Sequence, residues 1–509
     1  MLLLVAIAIA TSGCGGGSQN VVDVIRLPAR DYPTFQRVLD EVRGMHHRRR
    51  PLVVLLDGVY QVDAAVQMDS EIHDVRFQAL DRRFPPGLTS ALHLSNWQSV
   101  NGLWTTKVPR GTNSFFVDGV RQFRSRMPMA GFYQINNFFS LATNSTFEFR
   151  NQDLKPEWAG AQLVAIQAWA ESRIPILSVD QATHLATLSG RMQPYNLVDD
   201  ASYWVENVPE GMANEGAWMV DAADTMIYHP PAGENPAAHD CVVPLVQQFI
   251  RITNTRNLTL DGLMFTFSDW KLPATGYANL QAAADIQGVI QMEGAENCTI
   301  INCEFRQLGV HGLWLDNGCS SNTIANNKMY DLGGGGVVIG YNDKIIEPHT
   351  ETSKNIVIDN HISNIGNVYF GACGIAVLHA NNTRIQGNLV HDTFYSGISV
   401  GWEWDAIPGD IHDNFVFCND LYSIGLNRNS LLTGPLLRDL GGIYTLGDQP
   451  GTLIIGNRIH DTHSAIHGEA PGIYLDQGSN RILVKGNEIW DTDGPPYWLH
   501  MVGDVEVIP

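Results

Sequence analysis

Along the second half of the chain, apolar and polar positions alternate over runs of only a few residues, and each run breaks at Gly, Asn or Asp before another begins. From about residue 250 the unit recurs as NCTIINCEFRQLG, SNTIANNKMYDLG, KNIVIDNHISNIG, TRIQGNLVHDTF, GDIHDNFVFCND, TLIIGNRIHDTH and ILVKGNEIWDT. Alternation with a period of two, rich in Ile, Val and Leu and bounded by turn residues, predicts short strands and no helix between them. The anchoring asparagines Asn302, Asn327, Asn360, Asn388, Asn414, Asn457 and Asn487 are, by subtraction, 25, 33, 28, 26, 43 and 30 residues apart. A variable period of this size without helices predicts an all-β right-handed parallel β-helix, each repeat forming one coil. The asparagines are then structural, placed in the left-handed conformation at a tight corner with their amides bonded from coil to coil. The wider gaps of 33 and 43 predict loops extruded from the coils, where a site would be built.

Upstream, DYPTFQRVLDEVRG carries the pattern of an amphipathic helix starting near Tyr32, and RPLVVLLDGVYQVDAAVQM reads as a first coil. A β-helix needs its open end covered, so the helix is expected as an N-terminal cap. Between Phe84 and Cys241 the coil motif vanishes, and GLWTTKVP, NSFFVDGVRQF and GAWMVDAADTMIYHPP predict an inserted β-rich, sandwich-like module. The expected organisation is residues 1–20 as signal and tether, 21–83 as cap and first coil, 84–245 as insert, 246–492 as the catalytic β-helix, and 493–509 as an irregular tail. After Thr492 the alternation stops, so neither a further coil nor a cap is expected there, and the chain reads as truncated relative to a complete enzyme.

Composition sharpens this picture in three places. Charged residues make up 17%, against the usual quarter, while Gly reaches 48, as turns and stacked strands require. Lys and Arg number 32 against 53 Asp and Glu, a net charge of −21 that repels phosphate backbones and anionic polysaccharides, so nucleic acid is excluded as a partner. The leader MLLLVAIAIATSGCGGGSQN has an apolar run from Leu2 to Ala10, small residues, then Cys14 and a glycine-rich spacer. It reads as a bacterial lipoprotein signal, with Cys14 lipidated as a membrane tether and Gly15 to Asn20 as spacer; the alternative is an ordinary cleaved signal. The expected location is periplasmic or on the outer membrane or cell surface. Cys241, Cys298, Cys303, Cys319, Cys373 and Cys418 form no metal-spaced cluster and are expected as small buried side chains rather than disulfides. No metal or organic cofactor is expected.

Candidate chemistry must be separated from the repeat. Four residues beyond the anchors stand Asp331, Asn364, Asp392, Asp461 and Asp491, a column explained by turn capping. Asp439 in RDLGGIYTLGDQPG and Asp476 in APGIYLDQGSN stand apart from it. Gly442 and Gly472 each precede an anchor by 15 residues, which places the two Gly-Ile-Tyr segments on one face of consecutive coils, about 4.8 Å apart in rise. With lateral offset the two carboxylates are expected about 5 to 10 Å apart, spanning both glycosidase geometries. Asp316, in GLWLDNGCSSN, has the position of Asp476 but five anchor steps away, or about 24 Å, so it is no partner. His391, Tyr395, Trp402, Glu403 and Trp404 lie on the excursion HDTFYSGISVGWEWD, where aromatic faces and polar tips suit pyranose rings; Glu403 is a reserve acid. His460 and His463 read as surface groups rather than a metal pair.

The segments HDTFYSGISVGWEW, DLGGIYTLGDQPGT and GIYLDQGSN resemble glycoside hydrolase family 141, which includes α-L-fucosidases and xylanases on a right-handed β-helix with an inserted β-domain. The likeness covers most of residues 22–492 in architecture, with its specific motifs between about 305 and 480. It implies Asp439 and Asp476 as the catalytic acids, with Tyr444 and Gln477 beside them on the substrate side, Gln477 standing where the family pattern implies Glu. The expected activity is hydrolysis of a neutral or weakly charged plant or algal glycan. The alternatives are a lyase or epimerase of the pectate type, which would need Lys or Arg against a uronate, and a non-catalytic glycan-binding β-helix. No lysine lies between Lys354 and Lys485, although Arg428, Arg438, Arg458 and Arg481 do, which favours the hydrolase.

Overall fold

The computed structural model describes residues 5–7, 22–45, 50–140, 143–193, 200–278, 280–342, 350–405, 409–430, 432 and 434–509. Cys14 and its spacer, on which the tether expectation rests, lie outside the described residues. The expected all-β right-handed parallel β-helix is found: three long sheets run the length of the molecule, one of 13 strands and two of 10. Ten coils each contribute one strand to each sheet, and their successive strands pair in parallel and in register, as with Thr323–Ala325 on Ile356–Ile358; Val22–Arg26 and Val505–Ile508 extend the 13-stranded sheet, and Val5–Ile7 adds to its edge antiparallel. Register is fixed by burial. Ile300, Ile324, Val357, Ile385, Val416 and Ile454 stack one above another along the 13-stranded sheet, all at most 1% exposed. A slip of one residue would turn this column to solvent, at a cost of about 1.5–3 kcal/mol for each side chain.

The asparagine column is real but shifted. Buried amides donate from Asn327 to Asn360, Asn360 to Asn388, Asn388 to Asn419, Asn419 to Asn457 and Asn457 to Asn487, at 2.9–3.0 Å. Asn419, not Asn414, is the rung in its coil. The supposed gap of 43 residues therefore divides differently, with 31 residues from Asn388 to Asn419 and 38 from there to Asn457. Asn414 belongs to a second ladder at the opposite end of the strands, accepting from Thr383 N–H at 3.0 Å, below Asn322 and Asn355. The left-handed residue is the one before each rung: Asn326, Asp359, Gly387, Cys418, Gly456 and Gly486 all have φ between 51° and 66°. Asn302 occupies that corner, and Cys303 takes the rung, its N–H donating to Asn327 Oδ1 at 2.9 Å. Cys418, at such a corner, is exposed, against the expectation of burial; the other five cysteines are buried, and all six are free. Asp331, Asn364, Asp392, Asp461 and Asp491, read as a turn column, share a left-handed backbone at φ 50–57°, although Asp331, Asp392 and Asp461 lie within the strands Lys328–Leu332, Leu389–Thr393 and Arg458–Thr462.

The amphipathic segment forms the helix Phe35–Arg43, started by the Thr34 hydroxyl accepting from Arg37 N–H at 3.4 Å. Phe35, Val38, Leu39 and Val42 point into the central core and are fully buried. The first coil follows as Leu52–Leu56, Val59–Gln61 and Val66–Met68. Gly87–Thr89 still pairs within the helix, in parallel with Val59–Gln61 and Met264–Thr266.

The inserted module departs from the sandwich expectation. Its largest sheet is antiparallel, and the pairing of Gln162–Ile166 with both Glu171–Asp180 and Ser202–Glu206 closes it into a barrel around Phe147, Leu163, Ile174, Ala186 and Tyr203. Closure removes the edges that a sandwich would leave open. Two four-stranded antiparallel sheets complete the module. The end of the chain corrects another expectation: Tyr497–Leu499 pairs with Ile473–Leu475, and Val505–Ile508 with Asn480–Lys485, so the coil path continues past Thr492. Pro495 and Pro496 hide this strand from an alternation test, but a neighbouring parallel strand supplies its hydrogen bonds all the same.

Candidate active site

The site forms on the outer face of the 10-stranded sheet that contains Ile398–Val400, Ile443–Thr445, Ile473–Leu475 and Tyr497–Leu499. Ile443 and Ile473 point inward; Tyr444, Tyr474 and Trp498 therefore point out, one per coil. The Tyr444 and Tyr474 rings meet edge to face at 5.1 Å, and Tyr474 stacks flat on Trp498 at 4.8 Å. Outward positions on a solvent-facing sheet are normally exposed, yet Tyr444 and Tyr474 are 1% and 2% exposed. Neighbouring segments enclose them: Ala168 of the inserted module accepts from Arg438 N–H at 2.9 Å, and Gln281 donates to the Tyr395 hydroxyl at 3.0 Å.

Asp439 arrives from the loop before Ile443–Thr445, and Asp476 follows Ile473–Leu475 directly. Their opposite positions about the strand are the lateral offset expected from sequence. Asp439 has a left-handed backbone, φ 58°, and its carbonyl is held by the Tyr395 hydroxyl at 2.9 Å. Tyr395 is itself fully buried. Asp476 accepts a short hydrogen bond from the Tyr444 hydroxyl and has His500 Nδ1 at 2.8 Å from its other oxygen. Tyr474, between Tyr444 and Trp498 on this face, lies within electrostatic reach of both carboxylates. Burial, and then the charge of Asp476, push the Asp439 carboxyl up to about 6. Burial, and then the charges of the two carboxylates, push the Tyr474 hydroxyl far above its ordinary value.

The other residues singled out from sequence divide. Trp402, Glu403 and Trp404 lie beside the pair, on the corner that follows Ile398–Val400. Gly447, at φ 77°, packs against Glu403 so closely that a Cβ there would overlap it, and its N–H donates to the Gln477 carbonyl at 3.1 Å. Gln477 reaches Asp405 at 3.4 Å. Trp402 is buried, with its Nε1 donating to the Asn342 carbonyl at 3.1 Å, whereas Trp404 is 41% exposed and meets Trp402 edge to face at 5.0 Å. Glu403 is buried, 3.6 Å from His379 Nδ1.

His391 is not brought to the pair. It lies on the outer face of a different sheet, in a stack with Tyr422 at 4.5 Å, which continues through His460 to Trp490. Its nearness to Trp402 in sequence is undone because the chain turns a corner between them. Tyr395 and Tyr444 also depart from the expected substrate contact: with no exposed surface to offer, they hold Asp439 and Asp476 in place. His463 pairs with Asp461 at 2.9 Å. Asp316 has the same register position as Asp476, five coils away, where Gln291 donates to it at 3.0 Å. Sequence reasoning missed Tyr474, His500 and Gln281. The repeat of Gly-Ile-Tyr was a signal for Tyr474; nothing local marked the other two. Among the described residues no three His, Cys, Asp or Glu side chains gather as metal ligands.

A family model described as a right handed beta helix region matches residues 288–439. No curated protein sequence matches the chain. A solved structure described as "Glycoside hydrolase" is similar at TM-score 0.82 and 18% identity, covering 95% of this chain and 96% of that one. A second, "The complex structure of XylC with xylose", is similar at TM-score 0.50 and 12% identity, covering 92% and 70%. At these identities the likeness is one of fold.

Proposed function

We propose that the protein is a glycoside hydrolase in which Asp439 is the general acid and Asp476 the nucleophile. The observation that carries this reading is the pair itself: Asp476, held by the Tyr444 hydroxyl and His500, acts on a buried Asp439, which burial and then the charge of Asp476 raise to about 6. A carboxyl that keeps its proton up to about pH 6, beside one held by hydrogen-bond donors, is the division of labour that glycosidic cleavage requires. Asp439 gives its proton to the leaving oxygen while Asp476, supported by Tyr444 and His500, attacks the anomeric carbon. The acid then returns as base to activate water. With Asp476 as nucleophile the reaction passes through a glycosyl-enzyme intermediate, so net retention is the expected outcome.

Neutral glycans are the proposed substrates, with β-xylosides and α-L-fucosides the first to test. Arg438 is 3.8 Å from Glu469, and the residues around the two aspartates are tyrosines and a histidine, an arrangement that favours the hydrolase over a lyase or epimerase. Export and anchoring through Cys14 belong to the same proposal, as the setting in which an extracellular glycan is met.

The test uses aryl glycosides that differ in leaving group. Asp476→Asn is expected to lose about 100-fold or more of kcat on every substrate. Asp439→Asn is expected to lose as much on a poor leaving group and little on a dinitrophenyl glycoside, which needs no proton. Most of the activity surviving in both variants would refute the assignment, and unsaturated uronate products, detected by ultraviolet absorbance, would replace it with a lyase.

A further inference from the structure

A cavity of ≈ 530 Å³ lies between the inserted module and the β-helix and shares no residue with the aspartate pair or the groups that hold it. Its volume falls within the range of about 300–1,000 Å³ typical of small-ligand sites. In a chain of net charge −21 its lining is locally inverted, with Arg121, Arg124, Arg126 and Arg173 against only Glu206 and Asp331. Two of the four arginines are already matched. Arg121 Nε is 2.7 Å from Asp331, and Arg173 Nη1 is 2.8 Å from Glu206, whose other oxygen accepts from Trp204.

The other two have no carboxylate in ion-pair contact among the described residues. Arg124 donates only to the side-chain amides of Asn113 and Asn207, at 3.0 and 3.4 Å, and lies over the Trp218 ring at 5.0 Å. Its Nε is buried with no partner. Arg126 donates to the carbonyls of Pro128 and Gly131 and lies over Trp204 at 4.7 Å. A guanidinium taken out of water and satisfied by neutral acceptors alone is under-compensated. Burial pushes Arg124 down to about 10, despite the nearby charges of Glu206 and Asp269. Placed over indole rings, both groups keep N–H edges suited to forked contact with an oxyanion. Around them Asn364, Asn367 and Asn429 supply amides, which pair with hydroxyls.

We infer that this cavity binds a sugar bearing an anionic substituent, a carboxylate or a sulfate ester, gripped by Arg124 and Arg126. The anionic part of this inference stands on the cavity; the sugar part rests on the glycan-cleaving function proposed above. It separates recognition from cleavage: an acidic branch or neighbouring residue is held here while the aspartates act on a neutral linkage.

Calorimetric titration of the full chain tests it with four probes: trigalacturonate, a sulfated disaccharide, xylotriose and sodium sulfate. One of the two acidic saccharides is expected to bind at least about ten-fold more tightly than xylotriose and than sodium sulfate, and to weaken as salt is raised. Arg124→Gln is expected to weaken it at least about ten-fold. Gln122→Glu, which adds a negative charge to the lining and leaves both arginines in place, is expected to do the same, and serves if Arg124→Gln fails to fold. Asp439→Asn and Asp476→Asn are expected to bind as the parent does, so that loss of the hydrolase reading and loss of this one are told apart. Equal binding of xylotriose, equal binding of sodium sulfate, no binding of either acidic saccharide, or undiminished binding in Gln122→Glu would each overturn the inference.

Discussion

Replacing Asp439 with Asn is expected to abolish the proposed proton donation and yet make the protein more stable at neutral pH. Its carboxyl is raised from 3.8 to about 6, first by burial and then by the charge of Asp476. In the unfolded chain it ionises near the ordinary value. Between the two, the folded state holds a proton that the unfolded state has released, so the wild-type protein loses stability as pH rises through that window and levels off above about 6. Two units correspond to about 3 kcal/mol, the cost of holding an ionised Asp439 in this site. Asn has the same shape and pays no such cost. The variant is expected to match wild type near pH 4 and to exceed it by about 2–3 kcal/mol above pH 7. Urea unfolding followed across that range measures the difference directly. Asp476→Asn removes the second cause of the shift but not the burial, so it should give a smaller gain. A gain that does not change with pH, or a variant less stable than wild type at about pH 8, would refute the reasoning.

Three further outcomes are expected. Asn388→Ala leaves Asn360 N–H, the Asn360 amide and the Val357 carbonyl short of partners, at roughly 1–3 kcal/mol each, so urea unfolding should show a loss of several kcal/mol; a change under about 1 kcal/mol would mean the ladder is decorative. Trp404→Ala removes an exposed ring beside the site and should raise KM several-fold with kcat nearly unchanged, in steady-state assays on an oligosaccharide. Asp316→Asn, in the register position of Asp476 but about 24 Å away, should leave kcat/KM at the wild-type level; a large loss would place the reaction elsewhere along the sheet.

The solenoid was legible because its cause is local and repeated. Short alternations of Ile, Val and Leu can bury one face only by stacking, and corners that need a left-handed residue select Asn, Asp or Gly, so fold class and the left-handed column of Asp331 and its equivalents could be read from spacing. The pairing of Asp439 with Asp476 was legible for the same reason, since two Gly-Ile-Tyr segments at one offset must lie on neighbouring coils. Spacing failed where two residues fitted one role. Asn414 and Asn419 both precede strands, and only the amide ladder shows that Asn419 is the rung and Asn414 belongs to another.

What the sequence by itself determined is therefore the coil, its period, and which two acids stand apart from it. Tertiary structure decided the rest, because it depends on what packs across coils rather than along the chain. Glu206 closes the insert's sheet into a barrel by pairing within it and meets Arg173 at the cavity wall. His391, close to Trp402 in sequence, is sent to another face by one corner, while His500, beyond two prolines that interrupt the alternation, comes to 2.8 Å from Asp476 because its strand pairs with the one before it. The Asp439 carboxyl is raised to about 6 only because burial and a second carboxylate, 37 positions on, reach it together. Sequence sets which residues repeat; their acidity is set by what surrounds them once the coils are stacked.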